Sequence, residues 1–300
     1  MTIGVYVARR VLRGVLALLL VVVVAYGLFA VLPDQGAGVH GSLPDYLKAI
    51  FLHLNLGYSQ QQHSSVLSLI VARLPATASL VLGALLLWMV VAIPVAIVTA
   101  VRRGTRFDKA FAGAAVVLGS APAFWLGLLG LYLFAQDVGQ FSFLPGAKSY
   151  VGLTADPGKW FTSLILPWLA IGLTQGALAS VLLRRDLSGL SERDYLIAAR
   201  ARGVPERTVV WRHAARAAAA PLLRAVGLEL GALIGAAVVV EAAFSIPGVG
   251  MLVYESIRRG DLVTVEGTVV LAGLFMVLVN MAVDVVRGVV DPRTRAGRAV

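Results

Sequence analysis

The sequence predicts an all-α membrane protein with six transmembrane helices and both termini in the cytoplasm. Three observations carry this. Hydrophobic residues make up 59% of the chain and the mean hydropathy is +0.85, against about 45–50% apolar residues in soluble domains. Charged residues are 14%, where roughly 25% is usual. Of the 26 Lys and Arg, 20 fall in the N-terminus, the loop at Arg102, the interval Arg184–Arg224 and the C-terminal tail. Six spans put all four stretches on one side, and an excess of Lys and Arg marks the cytoplasmic side. The net charge of +10 therefore reflects membrane topology, and no nucleic acid is expected as a partner. There is no cysteine, and His40, His53, His63 and His213 lack ligand spacing. Disulfides and thiolate metal sites are excluded, and no metal site is expected.

Residues 1–10 form a cytoplasmic N-terminus, and Arg9, Arg10 and Arg13 precede or open the first span, 11–32. That apolar run exceeds the 7–15 residues of a signal-peptide core. At 1.5 Å per residue it crosses about 30 Å of hydrocarbon, so it is expected to be retained. An extracytoplasmic segment follows at 33–74. Within it Leu43, Tyr46, Leu47, Ile50, Phe51 and Leu54 recur at helical spacing, which predicts a short surface helix over Leu43–Asn55. It lies on the lipid surface or serves an external partner; both readings stay open.

The second span, 75–101, contains Pro94, which is expected to bend it; such prolines are tolerated when neighbours satisfy the freed backbone. Arg102, Arg103, Arg106 and Lys109 make a tight basic loop before the third span, 110–135, which contains Pro122. The fourth span, 163–183, is interrupted at Pro167. The fifth, 221–244, has Gly227, Gly231 and Gly235 at four-residue spacing, which allows close helix approach. An extracytoplasmic turn and short helix occupy 246–262, the sixth span 265–286, and a cytoplasmic tail 287–300. No sequence repeat recurs at a fixed period.

Between the fourth and fifth spans, 184–220 is a polar island; nine arginines fall between Arg184 and Arg224. One arginine at the bilayer centre costs about 2.5–3.5 kcal/mol, so the island belongs in water. It contains a helix candidate, Glu192–Arg202. Glu192 and Asp194 sit in the first turn and Arg200 and Arg202 in the last, matching the helix dipole at both ends. Ser191 suits the N-cap and Gly203 the C-cap. Ala198 and Ala199 keep one face slim enough to enter a groove, beside arginines that pair with carboxylates. An ordinary solvated loop is the alternative. The chain has no Gly-x-x-x-x-Gly-Lys-Ser/Thr loop, no Gly-x-Ser-x-Gly elbow and no His-Glu-x-x-His site, so energy and chemistry of those kinds must come from elsewhere.

The stretch Asp194-Tyr195-Leu196-Ile197-Ala198-Ala199-Arg200-Ala201-Arg202-Gly203, followed by Arg212-His213-Ala214-Ala215-Arg216 and Pro221, resembles the cytoplasmic coupling loop of ATP-binding-cassette import permeases, in the dipeptide, oligopeptide and nickel branch. Leu74-Pro75-Ala76-Thr77, Arg102-Arg103-Gly104 with Phe107-Asp108, and Pro122-Ala123-Phe124-Trp125-Leu126-Gly127 share that likeness. So do Val239-Val240-Glu241, Phe244-Ser245-Ile246-Pro247-Gly248-Val249-Gly250 and Asp291-Pro292-Arg293. The sequence departs from the pattern at Pro33-Asp34-Gln35, Ile197 and Ala217.

The resemblance implies a type I importer permease fold with its core over 75–286, and a non-catalytic subunit that carries peptide-type solutes inward. It makes Glu192, Asp194, Tyr195, Ala198, Ala199, Arg200, Arg202 and Gly203 the ATPase-coupling residues. Arg212, His213, Pro221, Glu241, Pro247, Gly248, Gly250, Asp291, Pro292 and Arg293 are its motif or structural residues. The implied partners are a homologous second permease in a heterodimer, one or two ATPase subunits and an extracytoplasmic solute-binding protein. This chain needs no cofactor of its own; ATP and Mg belong to the ATPase partners. Among acids inside the spans, Glu229 and Glu241 are candidates to line the pathway, and Asp284 is expected to pair with Arg287, three residues on. Open alternatives are an ion-driven secondary transporter, for which Glu229 speaks, a membrane scaffold or receptor, and import of nickel chelates, glutathione or haem.

Overall fold

The computed structural model describes residues 3–30, 42–101, 104–191, 201–205, 208 and 219–290. In chain order these form α1 (Ile3–Ala30), α2 (Leu43–His53), a two-residue hairpin of β1 (Tyr58–Ser59) and β2 (Ser64–Ser65), and α3 (Val66–Val101). Then come α4 (Arg106–Ser120), α5 (Ala123–Phe134), α6 (Pro157–Ser191), α7 (Ala219–Phe244), α8 (Val249–Arg259) and α9 (Leu262–Val290). Five of the described helices, α1, α3, α6, α7 and α9, are long and apolar enough to cross a membrane. The bent pair α4–α5 makes a sixth span if it counts as one.

Three spans differ from expectation; the fourth, expected to be interrupted at Pro167, is one continuous helix, α6, through that residue. The third is not one helix: α4 and α5 meet at 98°. Ala121, the residue before Pro122, is extended at φ −81°, ψ 134°, because a following proline disfavours the helical region. Pro122 then takes the N-cap position of α5, where its missing N–H costs nothing. The second span is longer than expected, and α3 stays helical through both Pro75 and Pro94.

The chain forms two compact units. One comprises the residues up to Ser79 together with Ser245–Gly288; the other is Leu80–Phe244. The first unit packs Val22 and Ala25 of α1, Tyr46 and Ile50 of α2, and Val66 and Ile70 of α3 with Leu252 of α8 and Val263 and Val270 of α9. Of the face predicted by spacing, Tyr46 and Ile50 are buried and Leu47 packs beside them, whereas Phe51 and Leu54 are exposed. Tyr46 tilts against Tyr26 with ring centroids 5.2 Å apart and hydrogen-bonds Glu266. Burial and that carboxylate push its phenol far above the ordinary tyrosine range.

Asp261 ties the hairpin to α9. It accepts hydrogen bonds from Ser59 Oγ at 2.6 Å and Thr264 Oγ1 at 2.7 Å, and from the Thr264 N–H at 3.3 Å. Asp284 takes Arg10 of α1 as its ion partner, a tertiary pair that i,i+3 reasoning did not anticipate. The Arg287 side chain lies outside the described residues.

In the second unit α6 is the central helix. It packs against α4, α5 and α7, and 71% of its most apolar window is buried, against 29% for that of α7. Its approach to α3 rests on two reciprocal contacts. The Trp168 ring of α6 lies over Gly83 of α3, where a Cβ would meet Trp168 Nε1 at 2.1 Å. The Trp88 ring of α3 lies over Gly176 of α6, where a Cβ would meet Cδ1 at 2.3 Å. Each indole fills the space that the facing glycine leaves empty, and Trp88 is 1% exposed.

Gly83→Ala and Gly176→Ala are therefore each expected to destabilise by about 1–3 kcal/mol through overpacking. Gly113→Ala, where a Cβ meets nothing within 4 Å, is expected to be neutral or slightly stabilising. Thermal unfolding midpoints of the purified variants in detergent check this.

Candidate coupling site and polar groups of the spans

Of the predicted coupling residues, Glu192, Asp194, Tyr195, Ala198, Ala199 and Arg200 lie outside the described residues, as do Arg212, His213, Asp291, Pro292 and Arg293. Arg202 and Gly203 are described, and both are exposed. Gly203 has φ +74°, the left-handed region that glycine enters without a Cβ penalty. Pro221 is the third residue of α7, in the first turn, where an N–H has no helical acceptor.

A buried polar cluster forms where the basic loop meets α6. Thr105 N-caps α4: its Oγ1 accepts the Asp108 N–H at 3.2 Å. The Asp108 carboxylate turns back and accepts the Gly104 N–H at 2.9 Å. Arg184 Nη2 donates to Asp108 Oδ2 at 2.7 Å and lies 2.6 Å from Oδ1. Asp108 is only 4% exposed, so an unpaired charge there would carry a large desolvation cost. The guanidinium and the backbone N–H offset it. Beside the pair, Leu183 packs against Ala96 and Ala100 of α3.

Sequence reasoning placed Arg184 in the island and Asp108 in a motif without joining them. The available signal was Thr105-x-x-Asp108 ahead of an apolar run, a capping-box pattern that marks the start of α4. Its distant partner has no local signature.

On α7, Ala225, Glu229, Leu233, Ala237 and Glu241 form one buried stripe at four-residue spacing. Glu229 is the eleventh residue of this helix of 26, so it sits near mid-span, and its Oε2 has no hydrogen-bond partner among the described residues. Glu241 is fully buried near the other end. Gly235, by contrast, faces open space. Among the described residues no three His, Asp or Glu are placed to hold a metal. An apolar cleft of about 110 Å³ is lined by Leu87, Trp88, Phe111, Leu118, Gly172 and Leu173 among others, and the Ser180 hydroxyl in its wall donates back to the Ala177 carbonyl.

In the first unit the turn after α7 is built by Ser245 at φ +53°, by exposed Pro247, and by Gly248 at the N-cap of α8. Gly250 is buried within α8. Thr77 Oγ1 accepts the Val249 N–H at 2.8 Å, satisfying one of the orphan donors of the first turn. Arg73 Nη2 reaches Glu255 Oε2 at 3.2 Å. Two motifs far apart in sequence, ending at Thr77 and Gly250, thus meet: α3 holds α8 at its first residue and again at Glu255.

Comparison with known proteins extends these observations. The sequence profile of a family described as "binding-protein-dependent transport system inner membrane component" matches residues 92–296. The dipeptide transport system permease protein DppB of Escherichia coli (strain K12) is 31% identical over 263 residues, covering 81% of this chain and 78% of its own. A Brucella abortus (strain 2308) protein whose name reads peptide transport system permease protein is 31% identical over 312 residues, covering 96% of this chain and 98% of its own.

Thr77→Val is expected to cost about 1 kcal/mol, as for loss of a cap. It should also speed hydrogen exchange at the Val249 amide more than at the amides of α4. Exchange measured by mass spectrometry on the detergent-solubilised chain checks this.

Proposed function

The chain belongs to the family of binding-protein-dependent transport system inner membrane components, and from that membership we propose that it is the permease subunit of an ATP-driven importer of di- and oligopeptides. The observation that carries the reading is the signature Asp194–Gly203, which falls on the most arginine-rich interval between two spans and within the region matched by the family profile. The names of the relatives favour peptides as the solute. Nickel chelates, glutathione and haem are the competing solutes.

In this reading both termini and the island face the cytoplasm. A homologous second permease completes the pathway, one or two ATPases grip Glu192–Arg202, and an external binding protein delivers the solute. ATP binding draws the ATPases together, the coupling helix travels with them, and the attached spans rock as rigid bodies to open the pathway outward. Arg202 and Gly203, at the end of that helix, are exposed; the arginine suits pairing with a partner's carboxylates. Glu229 and Glu241 are the acids through which the spans would meet a polar solute. Glu229 also favours a second reading, an ion-driven transporter, because a buried mid-span carboxylate with one oxygen unpartnered among the described residues is suited to proton binding.

Reconstituted with its ATPase, second permease and binding protein, the chain is expected to take up a labelled di- to pentapeptide mixture only when ATP is supplied. Uptake driven by a proton gradient without ATP would instead establish the second reading. Gly203→Arg is expected to assemble and leave ATP hydrolysis intact while lowering uptake about tenfold, within the usual range of coupling energies. Unchanged uptake would remove the coupling role of this segment.

A further inference from the structure

We infer that Asp108 and Arg184 are positioning residues that bind the first turn of α4 to the end of α6, so that the two move as one body during transport. The inference rests on the importer reading above. α6 ends at Ser191, and the coupling helix is predicted to begin at the next residue. Arg184 stands seven residues before that end, about 10 Å along the helix axis. Any displacement delivered to the coupling helix therefore reaches Arg184 early.

What Arg184 holds is not a loose surface acid. Asp108 has side-chain exposure of 6%, and Arg184 of 22%. Both carboxylate oxygens of Asp108 lie within 3 Å of the guanidinium, and the same carboxylate also takes the Gly104 N–H. Its backbone N–H is bound to Thr105, so the side chain is anchored to α4 and its preceding turn from both directions. An exposed pair of this kind yields readily. A buried one resists separation, because opening it leaves an uncompensated charge out of water. Among the described residues it is the one buried ion pair of the second unit.

The other end of α4 is built to accept motion. α4 is fifteen residues long, with Asp108 of the pair in its first turn, and ends at Ser120, where it meets α5 at 98° across Ala121. A short helix driven at one end and jointed at the other acts as a lever, with Ala121 and Pro122 absorbing the change in backbone angle. The pair thus gives the coupling segment a second output, α4, beside the direct one through α6.

The test uses the reconstituted complex and the ratio of peptide taken up to ATP hydrolysed, with the labelled di- to pentapeptide mixture as probe. Asp108→Asn and Arg184→Gln are each expected to assemble, to hydrolyse ATP at the normal rate, and to lower that ratio about tenfold. Exchanging the charges, with Asp108→Arg and Arg184→Asp together, is expected to restore it. The chain has no cysteine, so Asp108→Cys with Arg184→Cys can be joined by a short bismaleimide; joining them is expected to raise the ratio above that of the unjoined double variant.

A normal ratio in both single variants overturns the inference, as does a cross-link that abolishes uptake, since the two ends would then have to separate. Where a single variant fails to assemble, the charge exchange decides. Restored assembly and ratio support the inference; restored assembly with a low ratio, or no restoration, overturns it. Wild-type complex without ATP-driven uptake would remove the functional reading and this inference together. Coupled wild type beside fully coupled variants removes this inference alone.

Discussion

The close approach of α3 and α6 is the contact on which the second unit depends. Two helices in hydrocarbon gain nothing from hiding apolar surface, since lipid is as apolar as leucine; they gain from packing without voids. Gly83 and Gly176 remove the Cβ atoms that would hold the helices apart, and Trp168 and Trp88 fill the spaces. The exchange is reciprocal, one ring from each helix. With α3 seated, α6 is free to present its remaining faces to α4, α5 and α7. The most buried span is consequently also the one that leads into the predicted coupling segment.

Among the described residues most polar fastening lies toward the helix ends; Gln175 Nε2, which donates to the Ala232 carbonyl mid-span, is an exception. Asp108 with Arg184 closes α4 on α6, Asp261 joins the hairpin to α9, Thr77 and Arg73 hold α8, and Arg10 meets Asp284. Each joins elements far apart in sequence or separated by a loop, and most add a backbone N–H or hydroxyl to the charge. That distribution follows from the solvent: a polar group within hydrocarbon must find its partner inside the protein, while one near the interface can use protein and water alike. Glu229 stands apart from this pattern, at mid-span with one oxygen unpartnered among the described residues. This makes it the span residue whose presence packing does not explain.

The spans were legible because length and hydropathy are local properties. The predicted runs 11–32, 75–101, 163–183, 221–244 and 265–286 fall mostly within α1, α3, α6, α7 and α9. The surface helix over Leu43–Asn55 was legible from the spacing of Tyr46 and Ile50, which the fold buries. Proline was a weaker guide. Pro75, Pro94 and Pro167 lie within continuous helices, whereas Pro122 stands at a sharp break. The same residue lacks the same hydrogen bond in each case; whether the helix continues depends on what packs beside the freed carbonyl.

Composition alone determined that this chain lives in a bilayer, and the uneven placement of its arginines, with the signature Asp194–Gly203, pointed to its family. These are additive features, summed along the chain without knowing what touches what. The partner of Asp108, the partner of Asp284, the acceptor that caps α8 and the rings that occupy Gly83 and Gly176 were decided only by the tertiary structure. Each is a pairing between positions tens to hundreds of residues apart. A hydrogen bond or a filled space is a property of two surfaces at once, and neither surface carries its half of the information in a form that can be read alone.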